Sequence, residues 1–411
     1  MARRSDIPQF GLLSGVKVLC SAVSTAGPFA GSLFAGNGAD VIWLESPYGL
    51  DALRWSNNGH GIEVERRNMR SCSLDVLKPE GAKLFERMIA DVDIFIEASR
   101  GGQWTKWGYP DEKLWEINPK LVIAHMSGFG QSGLPEYVAR PAYDHIMQAY
   151  SGMMALNGFP DRDPVKAERL ITDYYNGLFA YGSTLAAYIN ALKTGKGESI
   201  DLAQYEAAVA CQGDTLSLWF GEHKQQPRNG SAHQAVSASG YYTCGDGNGV
   251  YILIMGEPTL RRFMPVLGLE YGVDCDPGTV TIKKADPRGA EFERRLTAYI
   301  GSKDSETIEK EFMKMNIPCS RVMTYEMMEN DPHYQARNTF VEWDNINGEH
   351  IKGRNFFPQF KNNPSQMWRP APKYGMDSAD VCRDYGFTEE EIQKMFDDGV
   401  IVTKDLVRRP M

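Results

Sequence analysis

Apolar residues in the first third of the chain come in short, dense runs. Residues 16–20 (VKVLC), 39–44 (ADVIWL), 71–76 (SCSLDV), 92–96 (VDIFI) and 121–126 (LVIAHM) are the runs read as strands. Runs without strict polar alternation are what strands covered on both faces of a parallel sheet look like. A small-residue helix is predicted from 28 to about 34. Pro79 opens a helix to 88, at a position where its missing N–H costs little. This order predicts an α/β fold with a doubly wound, mostly parallel sheet. Residues 143–215 read as helical, with 178–192 as a long helix stopped by Thr194-Gly195 and another helix over 203–211. Residues 226–240 (QPRNGSAHQAVSASG) read as a polar loop, and 241–255 as a hairpin turning at 245–249. A strand is predicted near 319–323. Thr388 and Glu391 have capping-box spacing for a last helix ending near Gly399. The expected domains are 1–224, large and Rossmann-like; 225–330, small and α+β; and 331–411, returning to the first.

Composition narrows the class. The chain has 411 residues, 42% hydrophobic and 24% charged, which is enough for a sizeable core and excludes wholesale disorder. The formal net charge of −9 disfavours nucleic acid as a partner, so an anionic ligand needs a local basic pocket. No apolar run approaches the roughly 18 residues of a membrane span. The opening MARRSDIPQF has no apolar stretch behind its arginines and does not read as a secretory signal. Seven cysteines without a CxxC pair read as reduced thiols in a cytoplasmic protein. The histidines are scattered and HExxH is absent, so no metal is expected.

Gly128-Phe129-Gly130-Gln131-Ser132-Gly133 matches the dinucleotide fingerprint by letter. That chemistry needs a helix N-terminus directly behind the glycines to hold a pyrophosphate. Here Pro135 and Pro141 follow, and the motif comes at the fifth strand. It reads as a glycine loop, either merely flexible or closing over a site. Gly195-Lys196-Gly197 lacks the ending of a phosphate loop, Lys193-Thr194-Gly195 lacks its serine partners, and there is no G-x-S-x-G elbow. Asp173 stands in Leu170-Ile171-Thr172-Asp173-Tyr174-Tyr175-Asn176-Gly177, at the start of the long helix. An aspartate there can be a helix cap. It can also be a carboxylate nucleophile that forms a covalent acyl intermediate, and one residue can be both. Arg66, Arg67 and Arg70 before the third strand are one candidate phosphate patch. Arg100 and Lys106 after the fourth are another, at the carboxyl end of a strand where open α/β sheets bind ligands.

Together these segments resemble the family III CoA-transferases over nearly the whole chain. The resemblance is carried by Ala26-Gly27-Pro28, the run 38–45 (GADVIWLE), Arg67-Asn68-Met69-Arg70-Ser71, residues 94–99 (IFIEAS) and Gly128-Phe129-Gly130. Tyr143-Asp144, Asp173, residues 194–198 (TGKGE), Ile317-Pro318-Cys319 and residues 362–369 (NNPSQMWR) extend it. The branch it is most similar to holds the carnitine (crotonobetainyl-CoA) and bile-acid CoA-transferases. Formyl-CoA transferases are less similar: their glycine-quartet loop has no counterpart, and Gly256-Glu257-Pro258 occupies that region.

The resemblance implies that Asp173 attacks an acyl-CoA to give an acyl-aspartyl anhydride, then becomes an aspartyl-CoA thioester from which a second acid collects the CoA. Coenzyme A is then a co-substrate, carried as acyl-CoA, and neither ATP nor metal is needed. Donors for the oxyanion are expected at the start of the helix carrying Asp173. Lys106 aligns with a basic residue on CoA phosphate, Arg100 with a CoA-contacting lysine of carnitine transferases, and Leu74 with a position near the adenine. Ser99, beside Arg100, is counted with these CoA-binding residues. Tyr143 and Asp144 align with an active-site Tyr-Glu pair. Thr25 stands where formyl-CoA transferases have a glutamine near the nucleophile, and Ser46 and Leu77 replace an arginine and a lysine. Thr25, Gly128, Phe129, Gly130 and Gly256 are the substrate and loop residues. The partners implied are an acyl-CoA, a carboxylic acid and a second copy of the chain in an interlocked homodimer. The acceptor is read as bile-acid-like, from residues 101–103 (GGQ), 203–206 (AQYE) and 330–333 (NDPH), or as carnitine-like; Tyr174, Tyr175 and the 226–240 loop are candidate walls for either. The alternatives are a 2-methylacyl-CoA racemase of the same fold, for which His125 is the base to examine, and a non-catalytic CoA-binding homologue.

Overall fold

The computed structural model of the chain describes residues 2–49 and 51–403. Strand and helix alternate at first: β1 (Lys17–Ser21), α1 (Ala26–Gly36), β2 (Asp40–Glu45), β3 (Arg70–Ser73), α2 (Pro79–Asp91), β4 (Ile94–Glu97) and β5 (Val122–Ser127). Then come α3 (Asp144–Tyr150), α4 (Ile171–Thr194), β6 (Glu198–Ala203) and α5 (Gln204–Ala210). The six strands form one sheet in the order β3-β2-β1-β4-β5-β6, parallel throughout.

The near-continuous apolar runs have their expected cause. β1 sends Leu19 into one core and Val18 and Cys20 into the other; β2 does the same with Ile42 and Leu44 against Val41 and Trp43. Both faces are covered, and each fully buried Leu, Ile, Val or Phe contributes about 1.5–3 kcal/mol. The third run yields a shorter strand than its length predicts. Beyond Ser73 the chain turns to the C-terminal segment, where Asp75 N–H donates to Val400 O at 2.8 Å. That segment also closes the β3 edge. Asp377 N–H donates to Ser71 O, Ser71 N–H to Asp377 Oδ2, and Ser73 N–H to Ser378 Oγ.

The chain divides into two compact units. One comprises Met1–Met154, Lys166–Lys224 and Asn338–Met411; the other comprises Ala155–Val165 and Gln225–Arg337. In the second unit β7 (Ser239–Thr243), β8 (Gly249–Leu253) and β9 (Cys319–Arg321) form an antiparallel sheet, in the order β7-β8-β9. Helices α6 (Pro287–Gly301) and α7 (Ser305–Lys314) supply Phe292, Leu296, Ile308 and Phe312 to its core. The first unit also contains a hairpin that the sequence pattern did not announce, β10 (Phe340–Asp344) with β11 (His350–Arg354). The last described helix, α8 (Glu389–Asp397), starts with the expected reciprocal cap. Glu391 N–H donates to Thr388 Oγ1 and Thr388 N–H to Glu391 Oε2. Among the described residues no helix is long and apolar enough to cross a membrane.

Candidate active site

Strand order reverses between β1 and β4, where the chain leaves the carboxyl ends of adjacent strands in opposite directions. In open α/β sheets that divergence opens a crevice. Residues 23–26 after β1 and 98–100 after β4 line a cleft of about 290 Å³ there. Asp173 and Asn176 of α4 reach it, as do Gln204 at the start of α5, Gly128, Arg140 and Tyr143.

Close helix packing brings Asp173 to this place. A Cβ on Gly177 would lie 2.7 Å from the Phe29 ring and 2.9 Å from Ala26 O, so glycine lets α4 press onto the start of α1. The β1–α1 connection is held from behind. Arg66, fully buried, donates to Asp51 Oδ2 at 2.8 Å and to Ser24 O, while Ser24 N–H donates to Asp51 Oδ2 at 3.0 Å. The Arg66 guanidinium also lies over Trp43.

The first basic patch is therefore architectural. Arg70 pairs with Asp40 and Asp384. Arg67 is buried over Trp343 and Phe356. The expectation that these arginines meet phosphate is overturned, because their guanidinium groups are inside the protein.

Helix α4 begins at Ile171, so Asp173 lies inside its first turn and is not its N-cap. The N-terminal cap comes from elsewhere in the chain. Asp144 Oδ1 accepts from Thr172 N–H at 2.7 Å, Thr172 Oγ1 at 2.8 Å and Asp173 N–H at 3.1 Å. Its other oxygen accepts from Gln148 Nε2 at 2.6 Å. Asp144 is thus the buried cap of the helix that carries Asp173, and it does not line the cleft. The donors expected at this helix start are consequently occupied.

The Asp173 carboxylate is 6% exposed, and its Oδ1 accepts from Gln204 Nε2 at 2.5 Å. Burial, and then the negative charge of Asp144, push its pKa up to about 7, while the Gln204 hydrogen bond pulls the other way. A carboxylate poised between its charged and neutral forms near neutral pH, at the wall of a cleft, is a functional-site signature. Gln204 was not singled out as a site residue. Its position depends on β6, a half-exposed edge strand without an apolar run.

Of the other expected site residues, Thr25, Ser99, Arg100, Gly128 and Tyr143 share the cleft with Asp173. Arg100 and Arg140 are both exposed there, and neither has an acidic partner among the described residues. Leu74 lines a second cleft of about 130 Å³ at the carboxyl ends of β1, β2 and β3, walled by Tyr48, Trp104 and Trp107 and including Ser46 and Leu77. Lys106 is exposed and lines neither cleft. Phe129 is turned into an aromatic cluster with Tyr137, Tyr150 and Tyr205, and Arg140 lies over its ring.

Gly130 N–H donates to Ser127 Oγ, and Gln131 N–H to Asp201 Oδ1, so the glycine loop is tied to the sheet. Only the four-residue helix Pro135–Val138 follows it, and no dinucleotide site forms. Gly256 is in the second unit, with φ 92, at the N-cap of the helix Glu257–Phe263. Tyr174, expected as a wall for the acceptor, donates its Oη–H to Glu65 Oε1 and does not line the Asp173 cleft. Both ring nitrogens of His125 are engaged, Nδ1 with Glu97 at 2.7 Å and Nε2 with Asp111 at 2.9 Å. Burial disfavours its charge, but the two carboxylates outweigh burial and raise its pKa to about 9. It lies outside the Asp173 cleft.

Arg100 and Arg140, without an acidic partner among the described residues, line the cleft with Asp173, and Tyr48, Trp104 and Trp107 wall the other.

Residues 13–378 match CoA-transferase family III. A bile acid CoA-transferase, BaiK of Clostridium scindens, is 38% identical over 406 residues, covering 98% of this chain and 92% of that one. A CAIB/BAIF family protein from Brucella suis superposes with a TM-score of 0.78 at 26% identity, covering 92% of this chain and all 100% of its own. The protein Rv3272 from M. tuberculosis gives 0.77 at 21% identity over 90% of this chain and 99% of its own, a likeness of fold.

Proposed function

The chain belongs to CoA-transferase family III, and we propose that it moves CoA from an acyl-CoA to a free carboxylic acid of the bile-acid type through covalent intermediates on Asp173. The observation that carries this reading is the Asp173 carboxylate, buried in a cleft at the switch point of the sheet and raised to about pKa 7. The acceptor class is supported by the 38% identity to a bile acid CoA-transferase.

Acyl-CoA is a substrate of this reaction. Asp173, ionised, attacks the thioester carbonyl carbon; a C–O bond forms, the C–S bond breaks, and CoA thiolate leaves. The product is an acyl-aspartyl anhydride. The thiolate then attacks the aspartyl carbonyl carbon, which releases the donor acid and leaves an aspartyl-CoA thioester. The acceptor carboxylate displaces the thiolate, forming a second anhydride. Attack of the thiolate on the acceptor's acyl carbon gives the new acyl-CoA and returns Asp173 as a carboxylate. One thioester is exchanged for another, so no external energy source enters. Burial supports this chemistry twice: it leaves the carboxylate poorly solvated and therefore reactive, and it keeps water from the anhydrides. Gln204 holds the attacking group in position, and Arg100 and Arg140 attract the anionic substrates.

A homodimer is part of the proposal. Leu178, Phe179, Ile189 and Leu192 leave an apolar stripe on α4 that is 43–67% exposed, and a second copy of the chain is the partner proposed for it. Light scattering that returns a monomer at micromolar concentration would remove this part.

The transfer is tested by mixing the protein with acetyl-, butyryl- or cholyl-CoA and a panel of acids: cholate, carnitine, γ-butyrobetaine and oxalate. Mass spectrometry then reads new thioesters. Transfer to cholate that disappears in Asp173→Asn is the expected result. Transfer to carnitine alone would move the acceptor class, and exchange of the donor's α-proton with deuterated solvent would favour the racemase.

A further inference from the structure

Each attack on a carbonyl in the scheme above places negative charge on an oxygen, and that oxygen needs a hydrogen-bond donor. Three N–H groups at the start of α4 are already committed. The N–H groups of Thr172 and Asp173 are both taken by Asp144 Oδ1, and Tyr174 N–H donates to Leu170 O at 3.2 Å. Gln204 Nε2 is committed too, to Thr172 Oγ1 at 3.0 Å and to Asp173 Oδ1 at 2.5 Å.

Among the described residues lining the cleft, one has a buried side-chain polar atom with no hydrogen-bond partner. Asn176 lies three residues after Asp173 on α4, hence on the same face of the helix, and it lines the same cleft. It is 1% exposed, and its Oδ1 has no hydrogen-bond partner. Among the described residues no hydrogen bond fixes which end of this amide is which, so its N–H can face the cleft. A buried amide without partners costs stability, and natural interiors rarely leave one idle. Gly177 beside it keeps the backbone against α1, which fixes where the amide stands.

We infer that Asn176 is a further catalytic residue, donating its Nδ2–H to the oxygen that becomes negative when a carbonyl is attacked at Asp173. In that step the new C–O bond forms, the carbonyl π electrons move onto oxygen, and the amide hydrogen bond shortens without transferring its proton. Collapse restores the carbonyl and expels the thiolate. The inference rests on the acyl-transfer reading of Asp173.

The test uses the full chain as wild type, Asn176→Leu, Asn176→Ala and Asp173→Asn. Two assays are read: exchange of deuterated cholate into cholyl-CoA, and hydroxylamine-dependent release of CoA from acetyl-, butyryl- and cholyl-CoA, which needs no acceptor acid. Asn176→Leu keeps the branched shape and removes every donor. It is expected to lower kcat on the order of 100-fold, as loss of one oxyanion donor does, with KM within about threefold and Tm equal or higher. Asn176→Ala tests the same loss where leucine disturbs packing. Either variant folded and within about threefold of wild-type kcat, beside an inert Asp173→Asn, overturns the role of Asn176 and leaves the nucleophile standing. A fall in Tm with kcat and KM damaged in parallel marks a structural residue and also overturns it. An active Asp173→Asn, or an inert wild type, sinks the acyl-transfer reading and this inference together.

Discussion

Replacing Asp173 by asparagine separates what this carboxylate does for the reaction from what it costs the fold. The two side chains have the same shape, and asparagine Oδ1 can still accept from Gln204. In the native chain burial and the charge of Asp144 lift the carboxyl from 3.8 to about 7. At roughly 1.4 kcal/mol per pH unit, that difference corresponds to about 4 kcal/mol. The sign follows from proton binding. Between pH 4 and 7 the folded chain holds a proton at Asp173 that the unfolded chain has released, so native stability falls as pH rises through this window. Above 7 both states are ionised and the penalty is constant. Asp173→Asn removes it, so the variant's advantage over wild type grows by about 4 kcal/mol from pH 4 to pH 8 while transferase activity is lost. A chain of two units does not promise a two-state melt, so the decisive assay is a difference potentiometric titration of the folded proteins. Wild type minus variant should show one proton with its midpoint near pH 7, and wild-type kcat/KM should rise along a limb with the same midpoint. A midpoint below pH 5, or a variant whose advantage does not change with pH, refutes the reasoning.

Three more outcomes are expected. Gln204→Leu takes away a hydrogen bond to the ionised form of Asp173, worth about 1.5–3 kcal/mol, so the limb in kcat/KM moves up by about 1–2 pH units; an unmoved limb counts against the contact. Arg66→Met leaves Asp51 buried and unpaired, which costs about 3–5 kcal/mol and appears as a lowered Tm, whereas a phosphate-binding arginine would have raised KM for acyl-CoA instead. Arg100→Ala is expected to raise that KM about tenfold, equivalent to roughly 1.4 kcal/mol, with kcat nearly unchanged. The KM effect should shrink at high salt because Arg100 is exposed; equal KM values for variant and wild type at low salt would remove Arg100 from the site.

The local pattern of residues determined the strands that lie inside the sheet. β1, β2, β4 and β5 are buried on both faces, and such burial demands apolar residues nearly throughout. The start of α2 at Pro79 and the reciprocal cap of α8 were legible for the same reason: a cap is made by neighbours in sequence. Asp173 could be singled out through the family resemblance, and the glycine motif set aside because Pro135 and Pro141 leave no long helix directly behind the glycines to hold a pyrophosphate.

Other features depended on residues far apart in the chain. β6 carries no apolar run because, at an edge of the sheet, it is half exposed, and without β6 nothing placed Gln204. A cluster of arginines reads identically whether it faces solvent or the interior; only Asp51, Asp40, Asp384 and Trp43, brought in from other elements, decided that Arg66 and Arg70 are buried. The start of α4 at Ile171 was decided by Asp144, whose carboxylate caps a helix it does not belong to. Sequence alone thus determined which carboxylate to examine. Its raised pKa, the loss of the helix donors to Asp144 and the unpartnered amide of Asn176 came from burial and from the positions of distant groups, which are properties of the tertiary structure.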